Sequence, residues 1–551
     1  MKRCPECRRD YYDDSLAYCL DDGTVLVDGP AADAEPATAL LFEAPTRQHS
    51  RDTELTKTES KFDKRFFIVA LAVLLVVAGG FFGYRYIDTT ASKPINSIAV
   101  LPFENRSGSA DSEYLSDGLA ESLILRLSQL PNLKVSPTSS AFRYKGKETD
   151  AKKIAGDLGV EAVMTGRMTQ RGDDLTITVE LVDARNDKLL WGEQYERKLS
   201  ELLATQSEIA AEITNKLQLK LSGEGEQKLT RKYTDSPEAY QFYLKGRFLW
   251  NKRSAQNILK AIEQFKLATD RDPNFALAFA GLADCYALLP DYAGDWAAEA
   301  SQARAFANRA IAIDDKLAEP HATLGILNMQ EFNWTDAERE AKLAVDLDPN
   351  YPTGMQWYAS ILLDLGRYDE AAQFYQRAYE LDPLSGPIND GLINTFQVHN
   401  EHEQAVQNAL KFIEVDPSFP AVFSDLGLSY LKLGRSTEAI TYLEKAVELS
   451  GRESWVLGNL GYAYAVSGKR SEALALLEEL KSRYPKTKTG ARYLAAIFAG
   501  LGEKDNAFAW LDKELENKGG RTLEIRWAIP FESLRDDTRF NDLLKRMRLP
   551  Q

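Results

Sequence analysis

Small and hydrophobic residues recur with a fixed period through the second half of the chain. Between residues 317 and 515 an alanine returns every 34 residues, at Ala337, Ala371, Ala405, Ala439, Ala473 and Ala507. A second series keeps the same phase and consists of Pro349, Pro383, Pro417 and Pro485, with Gly451 in the remaining place. A period of this length is typical of stacked helix–turn–helix units, so the pattern predicts an all-α solenoid.

Each recurring residue has a packing reason. A small side chain lets two helix backbones approach closely where they cross. The proline follows the second helix, because proline cannot continue a helix interior but is tolerated in the first turn of the next helix. Large residues fill the first helices between these points, at Leu324, Tyr358, Leu392, Leu426, Leu460 and Leu494. Together these positions resemble tetratricopeptide (TPR) repeats, a resemblance that implies a right-handed superhelix.

The array is predicted to contain about eight repeats over residues 236–515, because TPR-phase residues already begin at Ser236. The second repeat carries eight extra residues near Pro290–Trp296, which we expect to extend the turn between its helices. Residues 516–551 break the period. A solenoid must cover its last apolar face, so this segment is predicted to be a cap.

Residues 95–222 have a different pattern, in which strands and helices interleave. Alternating runs predict a first strand ending at Pro102, three further strands between 161 and 198, and a closing helix over 202–221. This order predicts a compact α/β domain. The runs SIAVLPFENRSG, YLSDGLAESL, GVEAVMTGRM and WGEQYERKLSELLATQSEIA resemble the TolB-like N-terminal domain, which is related to FlgO. In families with that domain it follows an output domain and precedes TPR repeats.

Residues 66–84, FFIVALAVLLVVAGGFFGY, contain no charge. Nineteen such residues reach roughly 28 Å as a helix, close to the thickness of the hydrocarbon core. We therefore predict a single transmembrane helix over 66–86. Basic residues are more frequent in the twenty residues before this segment than in the twenty after it, which predicts a cytoplasmic N-terminus. The TolB-like and TPR domains are then expected outside the bacterial cytoplasmic (inner) membrane, in the periplasm.

The first 28 residues contain a metal-binding pattern. Two knuckles, Cys4-x2-Cys7 and Cys19-x2-Asp22, have the spacing that holds tetrahedral zinc. The segment resembles short zinc ribbons at bacterial protein N-termini, but Asp22 stands where those have cysteine, and Asp21 competes for the same role. The alternative is a degenerate ribbon that binds no metal. Residues 29–64 lack periodicity and are predicted to be a disordered linker.

Composition and missing motifs limit the function classes. The net charge of −15 argues against a general nucleic-acid surface. The sequence has no phosphate loop, dinucleotide glycine motif or kinase motif set, so we do not predict an enzyme. His399 and His402 are three residues apart, but Glu401 and Glu403 accompany them, which favours a solvated turn over a metal site.

The TPR resemblance also implies which side chains face the groove. The family register places there Gln356, Ser360, Asp390, Asn394, Gln397, Tyr462 and Arg492. Polar side chains in such grooves bind the backbone of extended peptides. The alternative for any one of them is a wet surface without a ligand. The basic clamp of chaperone-binding TPRs is missing, so a chaperone C-terminus is not expected.

These modules predict a non-enzymatic, membrane-anchored scaffold or signalling protein that binds protein or peptide partners through the TPR groove. The alternative is a one-component transmembrane sensor and transcription regulator, arranged like CadC, with the N-terminal ribbon as output. A homodimer would be helped by Gly79, Gly80 and Gly83, because small residues let membrane helices pack closely.

Overall fold

In the computed structural model, the chain folds into two compact units, Met1–Ala91 and Ser92–Gln551. Three two-residue strands are described in the first unit. In the second unit the structure describes residues 94–108, 112–130, 132–147, 150–219, 223–252, 254–292, 296–487, 490–516 and 522–550.

The first unit contains a small antiparallel sheet of β1 (Lys2–Arg3), β2 (Asp10–Tyr11) and β3 (Val27–Asp28), with β1 in the centre. The linker 29–64 and the apolar segment 66–86 lie outside the described residues. So do the predicted zinc ligands Cys4, Cys7, Cys19 and Asp22. Among the helices that are described, none has both the length and the apolar character needed to cross a bilayer.

The second unit begins with a mixed sheet in the strand order β6-β4-β7-β8-β9, with β5 paired to β7. Strand β4 pairs in parallel with β6 and β7, whereas β7, β8 and β9 are antiparallel neighbours. The three long strands lie where the alternating pattern predicts them. The strands are β4 (Ser97–Val100), β5 (Glu104–Asn105), β6 (Lys134–Val135), β7 (Ala162–Arg171), β8 (Asp174–Asp183) and β9 (Lys188–Lys198).

Five helices accompany this sheet, and the longest, α1, buries Leu119, Leu123 and Leu127 completely. Helix α3 begins after Asp150, whose side chain caps it by accepting from the amide of Lys152. The closing helix, predicted over 202–221, ends at Lys216. The helices are α1 (Glu113–Ser128), α2 (Thr138–Ala141), α3 (Ala151–Leu158), α4 (Leu202–Lys216) and α5 (Gly223–Thr230).

Sixteen described helices follow in eight consecutive pairs, one pair for each repeat. Their bounds are α6 (Pro237–Asn251), α7 (Ala255–Arg271), α8 (Ala276–Tyr292), α9 (Trp296–Ile313), α10 (Ala318–Gln330), α11 (Trp334–Leu347), α12 (Pro352–Leu365), α13 (Tyr368–Leu381), α14 (Gly386–Val398), α15 (His402–Val415), α16 (Pro420–Lys432), α17 (Ser436–Leu449), α18 (Ser454–Val466), α19 (Arg470–Thr487), α20 (Ala491–Gly500) and α21 (Lys504–Glu516). Even-numbered helices are the first of each pair.

The packing role predicted for the small residues is confirmed. All six alanines of the 34-residue series are 0% exposed. At Gly427 on α16 an added Cβ would lie 2.9 Å from the carbonyl oxygen of Ala439 and 2.6 Å from Cγ of Leu443, both on α17. Any side chain at this position would therefore push the two helices of the repeat apart.

The second repeat differs from its prediction. Its helices α8 and α9 have 17 and 18 residues, compared with 14 residues each in α12 and α13. Most of the extra residues therefore lengthen the two helices. The expectation that they would mainly extend the turn is wrong, because a run such as Ala287–Leu289 continues the apolar helical pattern.

The turns between successive repeats carry a series of aspartates that we term the aspartate ladder. It consists of Asp272, Asp314, Asp348, Asp382 and Asp416. At four of these turns one carboxylate oxygen accepts from the backbone amide two residues later, at 2.9–3.2 Å. This is the local bond with which aspartate stabilises a turn.

The second carboxylate oxygen of several ladder residues binds the preceding part of the chain. Arg143 donates to Asp416 at 2.9 Å, and both Ser139 and Ser140 donate to Asp382. Arg231 and Thr234, which follow the α/β domain, donate to Asp314 and Asp272. The α/β domain and its following segment are therefore docked on several turns of the array.

A direct helix contact completes this attachment. The carboxylate of Glu121 on α1 accepts from Arg247 at 2.7 Å and from Asn251 at 3.0 Å, both on α6. An added Cβ at Gly118 would lie 3.0 Å from the side chain of Leu244. The first repeat is thus packed directly against the α/β domain, and residues 92–551 form one compact unit.

The last described residues, 522–550, form a segment that we term the strap. It contains 3-10 turns at Thr522–Arg526 and Ile529–Leu534 and the helix α22 (Thr538–Arg546). Phe540 and Leu543 of α22 belong to the same buried cluster as Leu511 of the last repeat. This part of the strap therefore packs on the end of the array, where a cap is predicted over residues 516–551.

Candidate functional site

The strap runs back along the face formed by the first helices of the repeats. Trp527 donates its indole N–H to Oδ1 of Asp364 on α12 at 2.8 Å. Glu532 forms an ion pair with Lys432 on α16 at 2.6 Å. Further along, the carbonyl of Met547 accepts from the indole of Trp334 at 2.8 Å. The strap thus contacts repeats 3, 4, 6 and 8, which a terminal cap alone would not do.

Between the strap and helices α14, α16, α18 and α20 lies a cavity of about 280 Å³. We term it the groove cavity. Its apolar wall includes Trp455, Trp527 and Phe531. Its polar lining consists of Asp390, Asn394, Gln397, Asp425, Asn459, Arg492 and Glu524. Four of the seven predicted groove residues are therefore brought together here, from repeats that are far apart in sequence.

The other three predicted groove residues lie elsewhere. The hydroxyl of Ser360 bonds to the Tyr375 hydroxyl at 2.7 Å and donates to the carbonyl of Gln356 at 3.0 Å, so it joins the two helices of one repeat. Gln356 is half-buried on the same first helix. Tyr462 is half-buried close to Gly500, and burial raises the pKa of its hydroxyl to about 12.

The groove cavity contains a pair of neighbouring carboxyl groups, those of Asp390 and Asp425. Asp425 is 8% exposed. Burial, and after it the charges of Asp390 and Glu524, hold the pKa of Asp425 well above its usual range. Two close carboxylates cannot both ionise readily, so the proximity of Asp390 disfavours the ionisation of Asp425. Within the described residues, the Oδ2 atom of Asp425 has no hydrogen-bond partner.

The same cavity contains a buried guanidinium. Arg492 is 4% exposed, donates to the Tyr493 hydroxyl at 2.6 Å and faces Glu514 at 3.5 Å. Its charge also lies 4.5 Å from the centre of the Tyr493 ring, where a cation–π interaction stabilises it. No acceptor among the described residues is within hydrogen-bond distance of its Nε.

A smaller cavity of about 110 Å³ lies beside the groove cavity and contains His402, which is 7% exposed. Burial and the nearby charge of Lys432 lower the pKa of His402. By contrast, His399 bonds to the Thr395 carbonyl and to Asp369, which raise its pKa. The expectation of a solvated turn is therefore wrong for His402, because the strap covers it.

The described residues contain no group of three or more His, Cys, Asp or Glu side chains arranged to hold a metal ion. His399 bonds to Asp369, whereas His402 lies in the smaller cavity, although the two are only three residues apart.

The strap contact at Asp364 predicts a pH dependence. Burial raises the pKa of Asp364 from 3.8 to about 8, although the Trp527 hydrogen bond opposes this shift. A raised native pKa means that the folded state binds more protons, so stability falls as pH rises between about 4 and 8. We expect Asp364→Asn, which mimics the protonated form, to match the wild-type melting temperature at pH 5 and to exceed it at pH 9.

The measurement is a series of melting curves from pH 5 to pH 9. The control is Asp315→Asn, since Asp315 is an exposed residue of a turn between two repeats. Parallel curves for wild type and Asp364→Asn across this range would contradict the assignment.

Sequence reasoning missed the strap and the buried charges that it covers. One signal was available: Trp527, Ile529 and Phe531 form an apolar run outside the repeat period. Nothing in the sequence, however, indicated which repeats would receive that run. Asp364, the one charged residue of the first helix Pro352–Leu365, was the second signal.

Comparison with known proteins identifies two kinds of module. Residues 324–385, 422–452 and 459–521 match family models of the tetratricopeptide repeat, so the repeats are TPRs as predicted. Residues 94–212 match the second domain of the HilA/YgeH-like transcriptional regulators. The α/β segment is thus similar to a regulator domain, and its resemblance to the TolB-like domain stays a prediction.

A curated relative is the putative adenylate cyclase 3 of Rhizobium meliloti (strain 1021), which is 31% identical over 286 residues. The match covers 50% of this chain and 41% of the cyclase, so the chain spans about two fifths of the length of that relative. The two proteins share a segment, and the remainder of the cyclase has no counterpart in the match.

Three solved structures are similar to parts of the chain at low identity. PilF of Pseudomonas aeruginosa is 22% identical, with a TM-score of 0.31, over 38% of this chain and 94% of its own. YrrB, a TPR protein with an unusual peptide-binding site, is 18% identical, with a TM-score of 0.27, over 35% and 95%. MamA is 21% identical, with a TM-score of 0.25, over 30% and 95%.

Proposed function

We propose that this chain is a non-enzymatic signalling protein that binds a protein or peptide partner on the first-helix face of its TPR array. One observation carries the proposal: that face already holds another segment of the same chain, the strap. Trp527 is bound through Asp364, and Glu532 through Lys432. Polar side chains of a groove that hold one segment of chain are suited to hold another.

The remaining modules indicate where in the cell the TPR array would bind its partner. The apolar run 66–84 would anchor the chain in a bacterial inner membrane, with the N-terminus in the cytoplasm and residues 92–551 outside. Docking on the aspartate ladder makes the α/β domain move with the first repeats. Binding on the array would therefore be transmitted to the domain that follows the membrane segment.

Site-specific photo-crosslinking tests the proposed surface. A photoreactive residue is placed at Gln356, on a first helix, and in a separate strain at Gln376, exposed on the following second helix. Both are glutamines of the same repeat, so they are matched controls for expression and folding. We expect a reproducible protein adduct from position 356 in the source organism and none from position 376.

Two outcomes would contradict the proposal. The first is the same set of adducts from both positions, which would indicate random collision. The second is an adduct at neither position although the protein is present in the membrane fraction.

A second candidate function is supported by the similarity of residues 94–212 to a transcriptional regulator domain. In this arrangement the N-terminal ribbon would be the output that contacts DNA or the transcription machinery. Its basic residues are Lys2, Arg3, Arg8 and Arg9, which is few for a DNA surface. A gel shift by the zinc-loaded full chain that weakens with salt would favour this candidate, and no shift at low salt would remove it.

The similarity to a cyclase does not change the proposal of a non-enzymatic role. The sequence carries no phosphate loop, dinucleotide glycine motif or kinase motif set, and the shared segment is less than half of the cyclase. Bacterial regulators reuse the same sensory segment beside different outputs, which is what the TolB-like resemblance implies.

Zinc in the N-terminal ribbon is a separate prediction. We expect about one zinc per chain in protein purified without chelator, because Cys4, Cys7 and Cys19 supply thiolates and Asp22 a carboxylate. Cys4→Ser is expected to abolish this zinc, whereas Cys285→Ser, which changes a buried cysteine of the second repeat, should leave it unchanged. Metal analysis of the three purified proteins measures this, and no zinc in the wild type would identify a degenerate ribbon.

A further inference from the structure

The groove cavity is a candidate small-molecule site, although its lining is about equally polar and apolar. Ligand sites are concave, mostly apolar and provided with a few convergent polar groups. This cavity has two indole rings, those of Trp455 and Trp527, together with Phe531 on its apolar side. Its volume of about 280 Å³ is just below the usual range for drug-sized ligands, which begins near 300 Å³, so the ligand would be a small metabolite.

Two polar atoms of opposite kind define what the ligand must offer. The Oδ2 atom of Asp425 and the Nε–H of Arg492 are both buried, and neither has a hydrogen-bond partner within the described residues. Leaving such groups unpaired is costly, so native structures rarely do so without a reason. A ligand that satisfies both must carry a hydrogen-bond donor and a hydrogen-bond acceptor.

Charge selects between neutral and ionic ligands. Asp390, Asp425 and Glu524 line one part of the cavity, and Arg492, with Glu514 behind it, lines another. The acidic side favours a cation, whose positive charge would offset the three neighbouring carboxyl groups. The Nε–H of Arg492 favours an anionic acceptor, because charge-assisted hydrogen bonds are stronger than neutral ones.

We propose that the groove cavity binds a free α-amino acid with an apolar or aromatic side chain. Its ammonium group lies at Asp390 and Asp425, its carboxylate accepts from Arg492, and its side chain packs against Trp455 and Trp527. The strap, which supplies Trp527 and Glu524, forms one wall of the site. The protein would therefore sense a small metabolite at the surface proposed above for a macromolecular partner, and the amino-acid site does not depend on that partner.

Isothermal titration calorimetry on the full chain tests this. The probes are L-phenylalanine and L-leucine, with phenethylamine as the analogue that lacks the carboxylate and N-acetyl-L-phenylalanine as the analogue that lacks the ammonium. We expect one amino acid to bind per chain. Each analogue should bind at least about tenfold more weakly, because it leaves a buried charged group unpaired.

Two variants assign the binding to this cavity. Asp425→Asn keeps the shape of the side chain and removes its charge, and we expect it to weaken binding about tenfold. Asp369→Asn, at an exposed carboxylate outside the cavity, should bind like the wild type. Equal melting temperatures for the two variants show that a loss of binding is not a loss of folding.

Several results would overturn the proposal. No heat from either amino acid at about 10 mM would exclude a physiological affinity. Equal binding of N-acetyl-L-phenylalanine would remove the role of the carboxyl pair. Tighter binding of the dipeptide L-phenylalanyl-L-alanine would replace the free amino acid by a peptide terminus, and equal binding by Asp425→Asn would move the site elsewhere.

Discussion

Replacing Trp527 by alanine is expected to detach the strap from the first-helix face. The substitution removes the indole hydrogen bond to Asp364 and an apolar contact of the strap with that face. A lost hydrogen bond to a buried group and a half-buried indole together amount to about 3 kcal/mol. The carboxyl groups of Asp364 and Asp425 and the guanidinium of Arg492 would then become accessible to water.

Hydrogen exchange measured by mass spectrometry is the suitable readout. We expect Trp527→Ala to increase exchange in residues 524–534 and in the first helices α14 and α16, with little change in β7 to β9. Trp510→Ala is the matched control. Trp510 lies in the last repeat, packs against Tyr484 of the preceding repeat and does not line the groove cavity. Unchanged exchange in α14 and α16 would show that Trp527 does not hold the strap in place.

The second large effect is expected at Arg126, which is 1% exposed on α1. Its guanidinium donates to the carbonyls of Leu229 and Arg231, at 3.1 and 2.9 Å, and lies over the Tyr233 ring. Arg126→Met removes both charge-assisted bonds, each worth about 1.5–3 kcal/mol, so we expect a loss of about 3–5 kcal/mol.

The consequence of this change extends beyond α1. The segment that Arg126 holds also carries Arg231 and Thr234, which bind Asp314 and Asp272 of the aspartate ladder. Its release would loosen the α/β domain from the array, so we expect urea unfolding to change from one transition to two.

The matched control is Arg167→Met on β7, where an exposed ion pair with Glu180 is worth less than about 1 kcal/mol. A single transition with an unchanged midpoint for Arg126→Met would show that the docking does not depend on this residue.

The parts of the fold that the sequence predicted are those with local causes. The alanine series identified the helix crossings, because the same two helices meet at the same spacing in every repeat. The three long strands followed from alternation within each strand. The close approach of the two helices at Gly427 was predictable because its neighbour, Ala439, lies only twelve residues away.

The parts that were not predicted depend on residues far apart in the chain. Trp527 and Asp364 are separated by 163 residues, and neither sequence neighbourhood indicates the other. The register predicted four residues of the groove cavity, since it depends only on position within a repeat. It could not predict that the strap would enclose them, nor that His402 would be buried beneath it.

The aspartate ladder also limits how this array can change in length. TPR arrays generally gain and lose whole repeats with little effect on their neighbours, because each repeat contacts only the next. Here, Asp314, Asp382 and Asp416 are each bound by a fixed point of the preceding domain and its following segment. Inserting or deleting one 34-residue unit between these aspartates would separate at least one of them from its hydrogen-bond partner. The number of early repeats is therefore fixed, whereas the repeats after Asp416 are not limited by these bonds.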